Sequence, residues 1–297
     1  MNWLFIFIPV TVLLSYFGAP HPWVFFSAAL AIVPVARLIV LSTEQLATYT
    51  GSTVGGLLNA TFGNAPELII AIVALRAGLL DMVRASLAGA ILVNLLLAMG
   101  VAFVLGGLRH HTQTYNHDAA RNYASMMLLA SLSLIMPSAF SRFLAPEDTV
   151  RVTALLSVGL AVVLLAVYVL YLIFMLKTHP EEFAALQETN EEHSETRWSR
   201  SRAIAGLLAA SVLAAWMSEH LVSAAEGTGK ALGMSHVFIG IVFLAIISGA
   251  AEASSAVAMA WRNKIDLAVG IAMGSCIQIA LFVAPMLVLT RFSVATV

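Results

Sequence analysis

The sequence is short of charge, cysteine and enzyme motifs, and each shortage excludes something. Only 10% of its 297 residues are charged and the formal net charge is −1, so there is no basic stripe or patch to hold nucleic acid. A single cysteine, Cys276, rules out an intramolecular disulfide framework and any CxxC metal or redox pair. No Ser/His/Asp arrangement, HExxH, P-loop or nucleotide fingerprint is present. The expectation is a chain that is not an enzyme and carries no cofactor. His110, His111 and His117 cluster in one loop rather than at ligand spacing, and read as solvated side chains.

What is abundant is apolar surface. Hydrophobic residues make up 60% of the chain and the mean hydropathy is +0.93, far outside the range of a soluble domain. Apolar runs near the length that a bilayer demands fall at 3–17, 22–42, 51–75, 82–107, 122–140, 150–176, 203–225, 236–260 and 265–290, each read as one membrane helix. The first has no positive leader and no small-residue cleavage site, so it reads as a short first membrane helix, with an uncleaved signal anchor as the alternative. Small-residue spacings such as Gly51 to Gly55 and Gly270 to Gly274 suit close helix packing in lipid.

One stretch breaks the pattern. Residues 177–202, KTHPEEFAALQETNEEHSETRWSRSR, contain six glutamates and no spanning run. They divide the chain into a first part, 1–176, an acidic linker, 177–202, and a second part, 203–297. The linker reads as a solvated loop, or more sharply as an acidic segment that senses divalent cations. Lys and Arg split eight to six between the two sets of loops. That weak bias places the linker and the N-terminus in the cytoplasm of a cell (inner) membrane.

Comparing the chain with itself shows a repeat. Glu67 and Glu252 lie 185 residues apart, and the same ungapped offset pairs Asp81 with Asp266, Gly89 with Gly274 and Gly55 with Gly240. Five helices separate equivalent positions, so the second copy is inverted, an arrangement that places a binding site near the bilayer midplane.

The first copy reads GGLLNATFGNAPELIIAIVAL over 55–75. Pro66, Gly63 and Asn64 interrupt the helix there, and it should bend or unwind. Unwound backbone at membrane depth is tolerated where it lines a cavity, and its carbonyls can hold a cation. Glu67 follows directly, where an ionised residue costs roughly 2.5–3.5 kcal/mol. Glu252 sits likewise inside HVFIGIVFLAIISGAAEASSAVAMAW, 236–261. Two carboxylates facing each other across inverted helices suit a hard divalent cation, which takes 6–8 oxygen ligands. Asn64, Asn94, Ser275 and Gln278 are candidates for neutral oxygens, with interhelical hydrogen bonding as the competing role. Asp81 and Asp266 read as helix-end or gating residues. Because a proton and a cation compete for the same carboxyl oxygens, Glu67 and Glu252 are also the candidates for proton coupling. If both titrate fully, two protons exchange for one divalent ion.

At these residues the chain resembles the cation/proton exchanger (CAX) branch of the calcium/cation antiporter superfamily. The matching text includes STEQLATYTGSTVGGLLNATFGNAPELI, RASLAGAILVNLLLAMGVAFVLGGLRH, YVLYLIFMLKTH, WMSEHLV and NKIDLAVGIAMGSCIQIALFVAP, and runs from about residue 28 to 289. The resemblance implies an all-α polytopic membrane protein, an inverted-repeat helical bundle of ten core helices plus an N-terminal one, exchanging Ca2+ for H+. It places the essential acids on Glu67 and Glu252, with polar positions on Asn64, Asn94, Ser275 and Gln278.

The chain departs from that pattern in places. Where the family has GNAAEH, it reads Ser248, Gly249, Ala250, Ala251, Glu252, Ala253, and the serines of GSILSN are Ala90 and Val93. Ser248, Ser254 or Ser255 are candidates to compensate. About nine transmembrane helices are present of an expected eleven, so the second half reads as truncated. The expected partners are Ca2+ and H+ as substrates and the lipid bilayer, with homo-oligomerisation left open. A Na+-coupled exchanger of the same superfamily, or a membrane protein without transport activity, are the alternative readings.

Overall fold

The computed structural model describes residues 2–143, 149–179 and 198–294, and among these every regular element is helical. A 3₁₀ turn, Asn2–Ile6, leads into α1, Phe7–Tyr16. Then come α2, His21–Ala47, α3, Gly51–Phe62, and α4, Ala65–Arg76. Helix α5 runs Leu80–Arg109, α6 His117–Phe143 and α7 Thr149–Ile173. The second part holds α8, Arg200–Leu232, α9, His236–Ser248, α10, Ala250–Trp261, and α11, Ile265–Arg291. Five of these helices are each long and apolar enough to cross a bilayer, and the pair α9 and α10, bent by 55°, makes a sixth span. The chain is a multi-pass membrane protein. Residues 180–197, the body of the acidic linker, lie outside the described residues.

The apolar runs that contain Glu67 and Glu252 are both broken, as expected, and the break is a bend rather than an unwound stretch. Each changes direction at a single residue. Asn64 leaves helical geometry at φ −99°, ψ 24° and Gly249 at φ −80°, ψ 7°, while the hydrogen-bond ladder bridges the corners: Gly63 N–H donates to Asn59 at 2.8 Å, and Gly249 N–H to Ala245 at 3.1 Å. Asn64 and Gly249 are mates under the 185-residue offset. Pro66 falls in the first turn of α4, where its missing N–H has no helical acceptor to lose.

The offset holds well beyond the corners. Applied to α4 it returns the ends of α10, and applied to α2 it returns the C-terminal end of α8. The tight turns after α4 and α10 use left-handed residues at equivalent positions, Gly78 (φ 76°) and Asn263 (φ 64°). Asparagine can take that conformation because its short polar side chain bonds locally. A wide π turn interrupts α5 at Val93–Ala98 and α11 at Ile279–Val283, close to Asn94 and Gln278. π turns of this kind are frequent at functional sites.

Helix α8 extends past the apolar run ending near 225, because Gly233, left-handed at φ 68°, closes it with Met234 N–H donating back to the Gly229 carbonyl at 2.8 Å. Helices α2 and α8 pack along their length. Lipid supplies no hydrophobic drive for that contact, so close approach must carry it. Ala28, Ala31 and Ala36 of α2 and Ala210, Ala214 and Ala225 of α8 are all buried, around Phe25, Ile32, Met217 and Leu221. Helices α6 and α7 cover α11, burying Tyr123, Met127 and Tyr168 against Ile277 and Leu281. The mates of those last two, Leu92 and Leu96 on α5, are exposed.

One helix seam is unusually tight. A Cβ on Gly89 of α5 would lie 2.5 Å from the Ile241 carbonyl oxygen of α9, and one on Gly240 of α9 would lie 2.6 Å from the Met82 carbonyl oxygen of α5. Their mates are packed differently. Gly274 on α11 has nothing within 4 Å, and Gly55 on α3 meets Ala47 of α2 at 3.0 Å.

Candidate functional site

Glu67 is the third residue of α4 and Glu252 the third of α10. Each sits in the first turn of a half-helix, whose positive N-terminal end favours negative charge. The two carboxyls lie near enough to feel each other's charge. Glu67 is buried at 5% exposure, and both of its oxygens, together with Glu252 Oε2, are buried without a hydrogen-bond partner. Ser248 neighbours the Glu67 carboxyl, while its hydroxyl donates, at a long 3.5 Å, to the Ala245 carbonyl. Carboxyl oxygens buried bare are costly in a finished interior. A cation or protons would satisfy them.

Around this pair the four neutral candidates form one chain of hydrogen bonds. Asn94 Nδ2 donates to Ser275 Oγ at 3.0 Å, Ser275 Oγ donates to Asn64 Oδ1 at 2.9 Å, and Asn64 Nδ2 donates to Gln278 Oε1. Residues of α5, α11 and the α3–α4 corner are thereby joined across the two repeats. Gln278 Oε1 lies 3.6 Å from where a Cβ on Gly63 would stand, and Asn94 Oδ1 lies 3.5 Å from the equivalent point on Gly249. One amide therefore attends each corner. Asn94 Oδ1 itself is buried and unpartnered.

The other candidates fall elsewhere. Asp81 and Asp266 occupy first turns of α5 and α11. Asp81 makes an exposed pair with Arg84 at 3.8 Å, and Asp266 accepts from Asn116 N–H at 2.6 Å; neither joins the buried group. Of the serines that were candidates to compensate, Ser248 is at the site, whereas Ser254 and Ser255 are exposed. Among the described residues no group of three or more His, Cys, Asp or Glu is placed to hold a metal, so any cation here relies on two carboxyls and neutral oxygens.

Two polar clusters escaped the sequence reading. The loop 110–116, whose His110 reads as solvated from the sequence alone, straps the far end of α10: a His110 ring nitrogen lies 3.2 Å from the Trp261 carbonyl, Gln113 donates to the Ala260 carbonyl at 2.9 Å, and Arg109 lies over the Trp261 ring at 4.9 Å. His111 and His117 are exposed as expected. At the end of the linker, Trp198 N–H donates to Gln45 Oε1 at 2.9 Å, Tyr49 donates to the Trp198 carbonyl, and Arg202 covers the Trp198 ring at 4.7 Å. A tryptophan embedded in a charged linker was the available signal for the second cluster. Nothing in the spacing announced the first.

Comparison with known proteins settles the class. The sodium/calcium exchanger protein family matches residues 20–177 and 202–296. The chain belongs to that family. It is 39% identical over 301 residues to a Ca(2+)/H(+) antiporter of Aphanothece halophytica, covering 96% of this chain and 80% of the relative. It is also 39% identical over 284 residues to the Ca(2+)/H(+) antiporter ChaA of Bacillus subtilis, covering 95% and 80%. Among solved structures, it superposes on the selenium-substituted Ca2+/H+ antiporter protein YfkE with a TM-score of 0.81 at 35% identity, over 99% of this chain and 83% of that one.

Proposed function

We propose that this exchanger-family chain moves Ca2+ in one direction and H+ in the other by alternating access, with Glu67 and Glu252 serving as both cation ligands and proton carriers. The observation that carries the reading is the meeting of two carboxyls from inverted copies, with three of their four oxygens buried and unpartnered. A hard divalent ion would be held by these oxygens and released as protons replace it. An empty pair with both carboxyls ionised is too costly to carry across the bilayer, so each reorientation is tied to one cargo or the other. The names of the relatives support Ca2+ as cargo and H+ as the exchanged ion.

The test is 45Ca uptake into vesicles driven by a pH gradient, for the parent beside Glu67→Gln and Glu252→Gln. Uptake is expected in the parent and lost in both variants. Equal uptake by all three would end the assignment. Replacing the proton gradient by a sodium gradient separates proton from sodium coupling, and uptake should follow the proton gradient.

A further inference from the structure

Helix α8 carries two ionisable side chains that the transport chemistry leaves unused, Glu219 and His220 of the stretch WMSEHLV. The repeat fixes their depth. The His21 ring of α2 lies against Gly227 of α8, and Ser42 of α2 lies against Gly206 of α8. Under the 185-residue offset His21 is the mate of Gly206 and Ser42 the mate of Gly227, so each contact is the image of the other. The two-fold axis that exchanges them runs in the membrane plane, level with the point midway between them, at Trp216 and Met217. It also passes Ile91 and Cys276, mates that touch each other, with the Cys276 thiol 3.6 Å from the Ile91 carbonyl oxygen. Glu219 therefore stands only about 4 Å along the helix from the bilayer midplane.

Ionisable groups at that depth ordinarily face the bundle interior or a water-filled cavity, and pair there. Glu219 instead is exposed, with His220 half-buried beside it. It continues the outer stripe of α8, where Leu208, Val212 and Trp216 are exposed at helical spacing. Among the described residues neither side chain has an ion pair or a side-chain hydrogen bond; the nearest ring is that of Trp216, 6.0 Å from the His220 ring.

The equivalent face of α2 is built differently. The mates of Val212, Trp216 and Glu219 are Ser27, Ala31 and Pro34, all three buried, and α1 packs against that helix. One repeat thus has its outer face covered. The other leaves a carboxyl on the face where cover is lacking, and bare lipid offers that carboxyl no hydrogen-bond partner.

Adjacent acid and base make this face self-complementary. When two copies of α8 lie side by side in the same orientation, Glu219 of one comes level with His220 of the other, since the two differ by one residue's rise of about 1.5 Å. Each carboxyl then meets a donor that its own chain does not supply. Leu208, Val212 and Trp216 give the apolar surface that packs beside the pair. We infer that the outer face of α8 is where copies of this chain associate, with Glu219 of one copy hydrogen-bonded to His220 of the next.

Two measurements test this in the full chain. Val212→Cys puts a thiol on the same stripe two turns from Glu219, and the native Cys276 is buried. Oxidising membranes that contain the variant should give covalent dimers, whereas Val163→Cys, likewise exposed on α7, should stay monomeric. In liposomes, energy transfer between labelled chains at falling protein-to-lipid ratio should show Glu219→Ala and His220→Ala associating roughly 3- to 30-fold more weakly, the range for an interhelical polar contact in a membrane. Glu219→His combined with His220→Glu should recover association, which also controls for folding. Uptake of 45Ca by Glu219→Ala should match the parent. A parent that is monomeric at every ratio means that lipid alone covers the face, and a cross-linked product that is not a multiple of this chain means that another protein does; either overturns the inference. So do equal cross-linking at 212 and 163, parental association of Glu219→Ala, or no recovery in the exchanged pair. Parental association with lost uptake would place Glu219 in the transport path instead, and overturns it too.

Discussion

The unequal glycine seams give the most searching prediction. Alanine at Gly89 or Gly274 gains the same helix propensity, about 1 kcal/mol, so that contribution cancels when the two variants are compared. What remains is steric. A methyl at 89 would stand 2.5 Å from the Ile241 carbonyl oxygen and 2.7 Å from its Cα, both backbone atoms, so the helices must separate. Overpacking of this kind costs about 1–3 kcal/mol. A methyl at 274 meets nothing within 4 Å. In detergent, Gly89→Ala should therefore melt several degrees below Gly274→Ala, and Gly274→Ala should melt at or above the parent.

Transport should reverse the ranking of harm at 274. In an inverted repeat the opposite-facing state exchanges the roles of the copies, bringing Gly274 of α11 against α3 as Gly89 of α5 now packs against α9. The same 1–3 kcal/mol then falls on that state, shifting the two-state balance roughly 5- to 150-fold. Gly274→Ala should thus be a well-folded, slow exchanger in pH-driven 45Ca uptake. Parental uptake by Gly274→Ala, or equal melting of the two variants, would refute the seam argument.

Two smaller predictions concern the periphery. Asn263→Gly should stabilise the turn after α10 by up to about 1 kcal/mol, since glycine reaches its φ of 64° without a Cβ penalty; a lower melting midpoint would show that the asparagine side chain contributes more than its backbone costs. Glu226→Gln removes the exposed Lys230 pair at 2.7 Å and should leave the midpoint unchanged, because solvent screens such contacts. A clear drop would mean the pair is coupled to something beyond the helix surface.

Much of the architecture was legible because the bilayer imposes a length on every span and the repeat pairs the segment around Glu67 with the segment around Glu252. The offset between Glu67 and Glu252 relates the corners at Asn64 and Gly249, the left-handed residues Gly78 and Asn263, and the π turns at 93–98 and 279–283, whereas Gly233 and the π turn at Ile239–Leu244 have no counterpart. Periodicity could not give the sharpness of the corners: Pro66, Gly63 and Asn64 suggested a bend or an unwound stretch, and it is a bend that a single residue absorbs. The bonding of the polar residues to one another was equally hidden, since a hydroxyl or amide of the right type reads the same whether it faces an ion or another side chain. The strap at 110–116 was missed because its bonds run to main-chain carbonyls of α10, and carbonyls carry no signature in the letters.

That strap has a mechanical consequence. Helix α10 is a stiff rod of twelve residues, about 18 Å long, with Glu252 at its leading end and Ala260 and Trp261 tied down at the other. A rod pinned at the heel can only swing at the toe. Any tilt of α10 therefore sweeps the glutamate through an arc while the surface loop stays still, turning a small change of angle at the pinned end into the largest displacement at the carboxyl.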